Sequence, residues 1–196
     1  LASVREVHVV AWQNECKELL LIMGNNGSET GNGGLEKRNE EPVVIHAVNL
    51  RGDGSVESDF MFTLPDEQTC VPAYADSIGH WLCEPNAALL KAGCFKLPAF
   101  RFGLRKLHRD SHLYTSDKRC ADFPGRTFEV VGTSGFGKQE VRTLLGDIHK
   151  ANIAVRNFPE RVETLRQRLH LADGGSDFLF ATTLFPSRHI LIRCKV

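Results

Sequence analysis

This 196-residue sequence lacks the patterns that mark membrane proteins and disulfide-rich scaffolds. It has no apolar stretch of about 20 residues, which a membrane-spanning helix would need, and no signal-peptide pattern. Its six cysteines form no C-x-x-C pair, so no structural zinc site is predicted. A chain of this length does not need disulfide stapling, so we expect reduced thiols in a cytoplasmic protein with no membrane partner.

Catalytic and cofactor-binding patterns are also scarce. The eight histidines are scattered, and a turn pattern at 110–111 separates His108 from His112, so neither a metal site nor a catalytic site is predicted. The Gly-rich segment 24–34 is polar throughout, and no helix pattern follows it. A loop that cradles a phosphate or cofactor needs a strand before it and a helix after it. Segment 24–34 is therefore predicted to be a surface loop rather than a cofactor-binding loop.

Residues 132–139 come closest to a phosphate-binding loop. They read G-x-x-x-x-G-K between a strand pattern and a helix pattern, but Gln139 replaces the Ser or Thr that would hold magnesium. No later strand ends in an acidic residue for the second magnesium contact. The pattern favours a βα turn, and Lys138 with the amides at the helix start could still bind a nucleic-acid phosphate.

Charge is unevenly distributed along the chain. Residues 1–100 carry 7 Lys+Arg against 14 Asp+Glu, a net of −7, whereas residues 101–196 carry 17 against 10, a net of +7. Such asymmetry indicates a polyanion-binding C-terminal part joined to an acidic N-terminal part. The alternative is that the basic half binds the acidic half or a neighbouring domain.

The last seventy residues read as a β-α-β-α-β-β unit with two helices on one face of a small sheet, an α+β plan. Apolar residues spaced three and four apart predict a helix at 139–150. A second helix carries Val162, Leu165 and Leu169, and we expect Pro159 to begin it and Gly174-Gly175 to end it. The predicted strands are 128–131, 153–158, 178–184 and 189–194.

The earlier part of the chain reads mainly as hairpins. Strands are predicted at 5–12 and 17–23, and again at 43–50 and 56–63 around an Asp-Gly turn. A short helix is predicted at 84–92, with Pro85 in its first turn and Gly93 after its end. Residues 110–125 are mostly irregular, with one strand at 112–115.

Four short sequence segments, in this order along the chain, resemble the C-terminal region of a bacterial family of class I S-adenosylmethionine-dependent methyltransferases. They are Glu84-Pro85-Asn86-Ala87-Ala88-Leu89-Leu90-Lys91-Ala92-Gly93, Ser111-His112-Leu113-Tyr114-Thr115-Ser116-Asp117, Phe123-Pro124-Gly125-Arg126 and Ile153-Ala154-Val155-Arg156-Asn157-Phe158-Pro159. In that family a ferredoxin-like segment and a THUMP-like domain follow the catalytic domain. The resemblance implies C-terminal strands of the methyltransferase domain at 1–70, a small ferredoxin-like segment at 71–125 and a THUMP-like domain at 126–196.

The same resemblance implies a longer parent enzyme that uses S-adenosylmethionine. The Gly-rich strand–turn that would hold this cofactor is absent from the sequence, so we expect no cofactor and no catalytic residue in this part. The missing N-terminal catalytic domain is then a partner of this chain.

THUMP domains usually help methyltransferases hold structured RNA, so the resemblance favours tRNA or rRNA, and not DNA, as the polyanion. Arg161 and Arg168 lie seven apart, so they share a helix face and could follow a line of phosphates. The alternative is a protein–protein or intramolecular docking module that binds no RNA. The predicted RNA-binding residues are Lys138, Arg142, Lys150, Arg156, Arg161 and Arg168.

Overall fold

The alternating apolar residues near the start of the chain form a four-stranded sheet, in the order β2-β1-β3-β4. The structure is a computed structural model that describes residues 4–24 and 42–196, so the predicted loop at 24–34 lies, except for Gly24, outside the described residues. The two predicted hairpins are confirmed. They are joined by a parallel pairing of β1 with β3, which no local pattern predicted. The strands are β1 (Val4–Trp12), β2 (Glu15–Met23), β3 (Val44–Leu50) and β4 (Val56–Thr63).

This sheet belongs to the first of two structural units, which comprises Leu1–Cys70 and Asn86–Phe95. Two short helices accompany it, α1 (Leu64–Thr69) and α2 (Ala87–Ala92), and α2 lies against β1 and β3. Because Asn86 accepts a hydrogen bond from the Leu89 amide at 2.9 Å, α2 begins only after it. The predicted helix start at 84 is therefore wrong, and residues 84–85 end a strand instead.

The second unit, Val71–Pro85 and Lys96–Val196, contains a seven-stranded sheet in the order β6-β7-β5-β8-β11-β10-β9. All neighbours are antiparallel except β9 and β10. Strand β8 pairs with β5 on one side and with β11 on the other. The strands are β5 (Trp81–Pro85), β6 (Arg105–Lys106), β7 (Tyr114–Ser116), β8 (Gly125–Ser134), β9 (Asn152–Arg156), β10 (Asp177–Leu184) and β11 (Arg188–Lys195). The helices are α3 (Leu97–Arg101), α4 (Lys138–Leu145) and α5 (Val162–Leu169).

Both helices predicted in the C-terminal part are present, but their ends differ from the prediction. Helix α4 stops at Leu145 rather than Lys150, because Gly146 leaves the helical conformation with φ at 54°. Helix α5 begins after Arg161 rather than at Pro159. Its last residue is Leu169, because the next residue, His170, has a left-handed backbone that stops the helix before Gly174-Gly175. Local apolar spacing marked the helices, whereas the caps decided where they stop.

Apolar clusters cover both faces of the sheet around β10. One face packs against the two helices, as predicted, through Leu144, Leu145, Ala151, Leu165, Leu169, Leu171, Leu179, Ala181 and Leu191. The other face packs against Ala75, Leu107 and Leu113 of the same unit. This cluster comprises Ala75, Leu82, Leu107, Leu113, Phe128, Phe180, Leu184, Ile190, Ile192 and Cys194. The architecture is α+β, as predicted, but the sheet extends beyond the C-terminal four strands. No helix in the described residues is long and apolar enough to cross a membrane.

All six cysteines lie in the described residues, none of them forms a disulfide, and three are buried. Burial raises the pKa of Cys83 and of Cys194 to about 12, because the thiolate would lose its hydration. Burial also raises the pKa of Cys120, although that side chain is only partly covered. The thiols on β5 and β11 therefore act as small apolar groups of the core.

We expect Cys83 and Cys194 to resist a thiol reagent in the folded protein at about pH 8, because a thiol titrating near pH 12 carries almost no thiolate there. The partly exposed thiols of Cys16, Cys70 and Cys120 should react before them. A colorimetric assay with and without denaturant, followed by peptide mapping, gives the order of reaction. Rapid labelling of both buried thiols without unfolding would contradict this assignment.

Candidate nucleic-acid interface

Many basic side chains of the second unit are held in ion pairs. In each case a guanidinium nitrogen lies 2.6 or 2.7 Å from a carboxylate oxygen. The pairs are Arg126–Glu84, Arg156–Glu84, Arg166–Asp173, Arg168–Glu160 and Arg193–Asp177. Part of the basic excess of the C-terminal half therefore stabilises the fold.

Glu84 on β5 accepts hydrogen bonds from two arginines. Its side chain is only 5% exposed, and its two oxygens lie 2.6 Å from Arg126 on β8 and 2.6 Å from Arg156 on β9. A buried carboxylate needs such partners because it has lost its hydration. The Arg126 guanidinium also lies 5.3 Å from the centre of the Phe128 ring. Arg156, a predicted RNA contact, thus has a structural partner.

Arg168, a second predicted RNA contact, is also engaged within the unit. It donates a hydrogen bond to Glu160 at 2.6 Å, and its guanidinium lies 5.5 Å from the centre of the Phe136 ring. That ring stacks on Phe158 at 4.8 Å. Arg168 therefore ties the end of α5 to the loops before α4 and before α5.

The other four predicted residues, Lys138, Arg142, Lys150 and Arg161, are exposed. Within residues 4–24 and 42–196, none of their side chains forms an ion pair. Lys138 is the first residue of α4, and Arg161 directly precedes α5. Because β8 and β9 run in the same direction, both helix starts lie at the edge of the sheet where these strands end. Arg142 follows Lys138 by four residues, on the same helix face.

Lys150 lies at the opposite edge of the sheet, beside a groove of about 370 Å³. Its aliphatic stem crosses Gly175, where an added Cβ would lie 3.0 Å from the Lys150 Cγ and φ is +89°. A glycine is therefore needed under this lysine. The groove is lined by Ile148, His149, Lys150, Ala172, Gly175, Ser176 and Asp177. The unpaired cations thus occupy two edges of the sheet and do not form one stripe.

The turn at 132–139 differs from a phosphate-binding loop in one further respect. The Glu140 carboxylate accepts a hydrogen bond from the Gly137 amide at 3.2 Å, so an anion already occupies the start of α4. Lys138 remains exposed beside it. Phosphate binding by the amides at this helix start, the interpretation left open by the sequence, would require Glu140 to move.

The structure also brings together residues that the sequence did not single out. In the first unit, Glu6, His8 and His46 place their ligand atoms within 4.8 Å of one another. The Glu-x-His spacing on β1 indicates a shared strand face. Only the parallel pairing of β1 with β3 brings in His46, 38 residues further along the chain.

Comparison with known proteins agrees with this architecture. Residues 81–124 match the model of a ferredoxin-like domain, and residues 125–196 match that of a THUMP-like domain. The chain therefore carries a ferredoxin-like domain followed by a THUMP-like domain, as the resemblance of the four sequence segments predicted. No curated protein matches the chain.

The structure is also similar to a crystal structure of a proposed methyltransferase from Porphyromonas gingivalis W83. The two are 40% identical with a TM-score of 0.83, and the match covers 98% of this chain and 46% of the other. The chain thus spans less than half the length of that protein. The domain boundaries at 70 and 125 and the RNA-binding residues stay predictions.

We expect Glu84→Ala to lower the free energy of unfolding by about 2–3 kcal/mol, because it leaves two arginines beside the core without a counter-ion. Arg156→Ala should cost about 1 kcal/mol, because one partner of the carboxylate remains. Urea unfolding followed by circular dichroism measures both. Arg161→Ala is the control, since its exposed side chain has no ion-pair partner in the described part of the chain. An Arg156→Ala protein with unchanged stability would contradict the structural role.

Proposed function

We propose that this chain is the substrate-recognition region of an S-adenosylmethionine-dependent RNA methyltransferase and that its C-terminal domain binds structured RNA. The THUMP-like domain supports an RNA-associated role, and the P. gingivalis protein supports methyl transfer by the whole protein. The RNA is a tRNA or an rRNA, and the protein works in the cytoplasm, where its six thiols stay reduced.

The observation that carries this proposal is a set of exposed cations, Lys138, Arg142, Lys150 and Arg161, that have no carboxylate partner among residues 4–24 and 42–196. An exposed cation that no carboxylate neutralises can bind a phosphate without first breaking an ion pair. Binding a phosphate releases condensed counterions from the RNA, which favours association at low salt. These cations lie at two edges of the sheet and form no single stripe, an arrangement that by itself favours the docking alternative, so the RNA proposal rests on their exposure and on the THUMP-like domain.

The groove beside Lys150 is the best candidate for a phosphate position. Lys150 and His149 supply donors there. The acidic wall of the groove, Asp177, is held by Arg193 at 2.7 Å, which offsets its repulsion of an anion. Arg193 also donates to the carbonyls of Leu144 and Leu145 at the end of α4, which fixes the pair in place.

We assign the cofactor to the remainder of the parent protein. Strand β2 is at an edge of the first unit's sheet, and it exposes about half of each of five consecutive apolar side chains, at residues 19–23. An apolar edge of this kind is a template for further strand pairing or burial. In our proposal the catalytic domain covers this edge, and it supplies the class I S-adenosylmethionine site.

The second candidate is a docking module that binds no RNA. It is favoured by the ion pairs of Arg126, Arg156, Arg166, Arg168 and Arg193, which use arginines for intramolecular contacts. In that case the exposed cations would face an acidic partner protein. Salt-dependent binding to RNA distinguishes the two candidates.

We expect the chain to bind a tRNA or an rRNA hairpin weakly, with little sequence preference and with an affinity that falls steeply with salt. Arg161→Ala and Lys150→Ala should each weaken binding to all RNAs alike and flatten the slope of log K against log salt by about one unit. The double variant should lose roughly the sum of the two free energies if both side chains contact phosphates independently. Filter binding at two salt concentrations measures each effect.

Lys91→Ala and Arg51→Ala are matched controls, because each removes an exposed cation from the first unit and should leave the affinity and the salt slope unchanged. Absence of binding at low salt would reject the RNA interpretation. Binding that all four variants weaken equally would also reject it, since the effect would then follow net charge alone.

We also expect this chain by itself to give no heat of binding with S-adenosylmethionine in calorimetry, because neither of its Gly-rich segments has the setting of such a site. Segment 24–34 is polar and no helix pattern follows it, and the turn at 132–137 follows a strand whose two neighbours are antiparallel. A titration of the P. gingivalis protein under the same conditions serves as the comparison. Micromolar binding to this chain would overturn the assignment of the cofactor to the remainder of the protein.

A further inference from the structure

Four polar side chains gather on one face of the first unit's sheet. Parallel pairing places His8 on β1 directly opposite His46 on β3. Glu6 lies two residues before His8 and so shares its face. Asp59 on β4 is paired with Val48, which puts it diagonally across from His46 on the same face. Three neighbouring strands therefore supply one cluster.

The distances within this cluster connect all four side chains. The Nε2 of His8 lies 2.9 Å from Oε2 of Glu6, and the Nε2 of His46 lies 3.8 Å from the same oxygen. The Nδ1 of His46 lies 3.0 and 3.2 Å from the two oxygens of Asp59. The two imidazoles are stacked, with ring centres 4.2 Å apart. Each of the four side chains is partly exposed, so an ion could enter from solvent.

The hydrogen bond to Asp59 determines the role of the other His46 nitrogen. A carboxylate can only accept, so Nδ1 carries the proton and, in the neutral ring, Nε2 has a lone pair. Its charged neighbour at 3.8 Å is an oxygen of Glu6, which also has lone pairs. A cation between the two atoms would satisfy both. Metal-binding histidines commonly donate their other N–H to a carboxylate, as His46 does here.

We propose that Glu6, His8 and His46 bind a divalent transition-metal ion, with Zn²⁺ as the best fit, and that Asp59 orients His46 for this purpose. Two imidazoles and one carboxylate are a common ligand set for zinc and leave one position for water or a further ligand. Imidazole nitrogens disfavour Mg²⁺ and Ca²⁺, which take oxygen ligands.

Binding requires two local changes. One imidazole must rotate so that both Nε2 atoms point at the ion, and the terminal torsion of histidine is broad enough to allow this. The proton on the Nε2 of His8, now donated to Glu6, must leave that atom for Nδ1 or for solvent. Both changes involve partly exposed side chains and leave the pairing of the strands intact.

The test is calorimetry with Zn²⁺ on chelator-treated full chain. We expect one ion per chain in the wild type, loss of that binding in His8→Ala and His46→Ala, and at least about a tenfold loss in Glu6→Gln. Asp59→Asn should weaken binding by about 10- to 100-fold, the range for residues that orient a ligand. Zn²⁺ should also raise the melting temperature of the wild type, since a ligand of the folded state stabilises it.

His80→Ala is the matched control, because this histidine is 81% exposed and also lies near a carboxylate, at 3.7 Å from Asp117. It should bind zinc as the wild type does. If His46→Ala fails to fold, Glu6→Gln decides, because it keeps the side-chain shape. Absence of stoichiometric zinc binding, or equal binding by the wild type and by Glu6→Gln and His8→Ala, would overturn the proposal. The proposed function does not depend on this result.

Discussion

Strand β8 uses the hydrogen-bonding groups on both of its edges, because it pairs with β5 on one side and with β11 on the other. This double pairing builds one seven-stranded sheet from segments that match two separate domain models. If either side were removed, β8 would present a row of unpaired backbone groups to solvent. The buried carboxylate of Glu84 adds a charged link between β5, β8 and β9. The ferredoxin-like and THUMP-like parts therefore depend on each other for a complete sheet.

The charge of the C-terminal half serves two purposes in this structure. Arginines that approach the core, such as Arg126 and Arg193, are neutralised by carboxylates and hold elements together. Lysines and arginines at the helix starts and beside the groove remain exposed and form no ion pair within the described residues. Net charge alone could not separate these two groups, because pairing depends on residues that are distant in sequence. Glu84 and Arg156, for example, are 72 positions apart.

The first unit shows a different consequence of strand pairing. Two hairpins, each predicted from local sequence, are joined by a parallel contact between β1 and β3. That contact stacks His8 on His46 and brings Glu6 of β1 near His46, while the β3–β4 hairpin supplies Asp59. Both histidines lie in alternating strand patterns, where they resemble ordinary half-exposed positions. The two histidines can act together only because the register between the two hairpins places them side by side.

Local sequence determined most of the strands, the two C-terminal helices, the α+β class and the segments that resemble ferredoxin-like and THUMP-like domains, because apolar periodicity and turn residues act over a few positions. Strands β5 and β6 were not predicted, and the end of β5 was assigned to a helix. Only the structure showed where α4 and α5 end, at Gly146 and His170, whose positive φ stops each helix while their amides donate back to its carbonyls. It also decided that Arg156 and Arg168 pair with carboxylates while Lys150 faces a groove. Side chains far apart in the chain meet only after distant strands have paired, and the local patterns that predicted the two hairpins did not predict pairings such as that of β1 with β3.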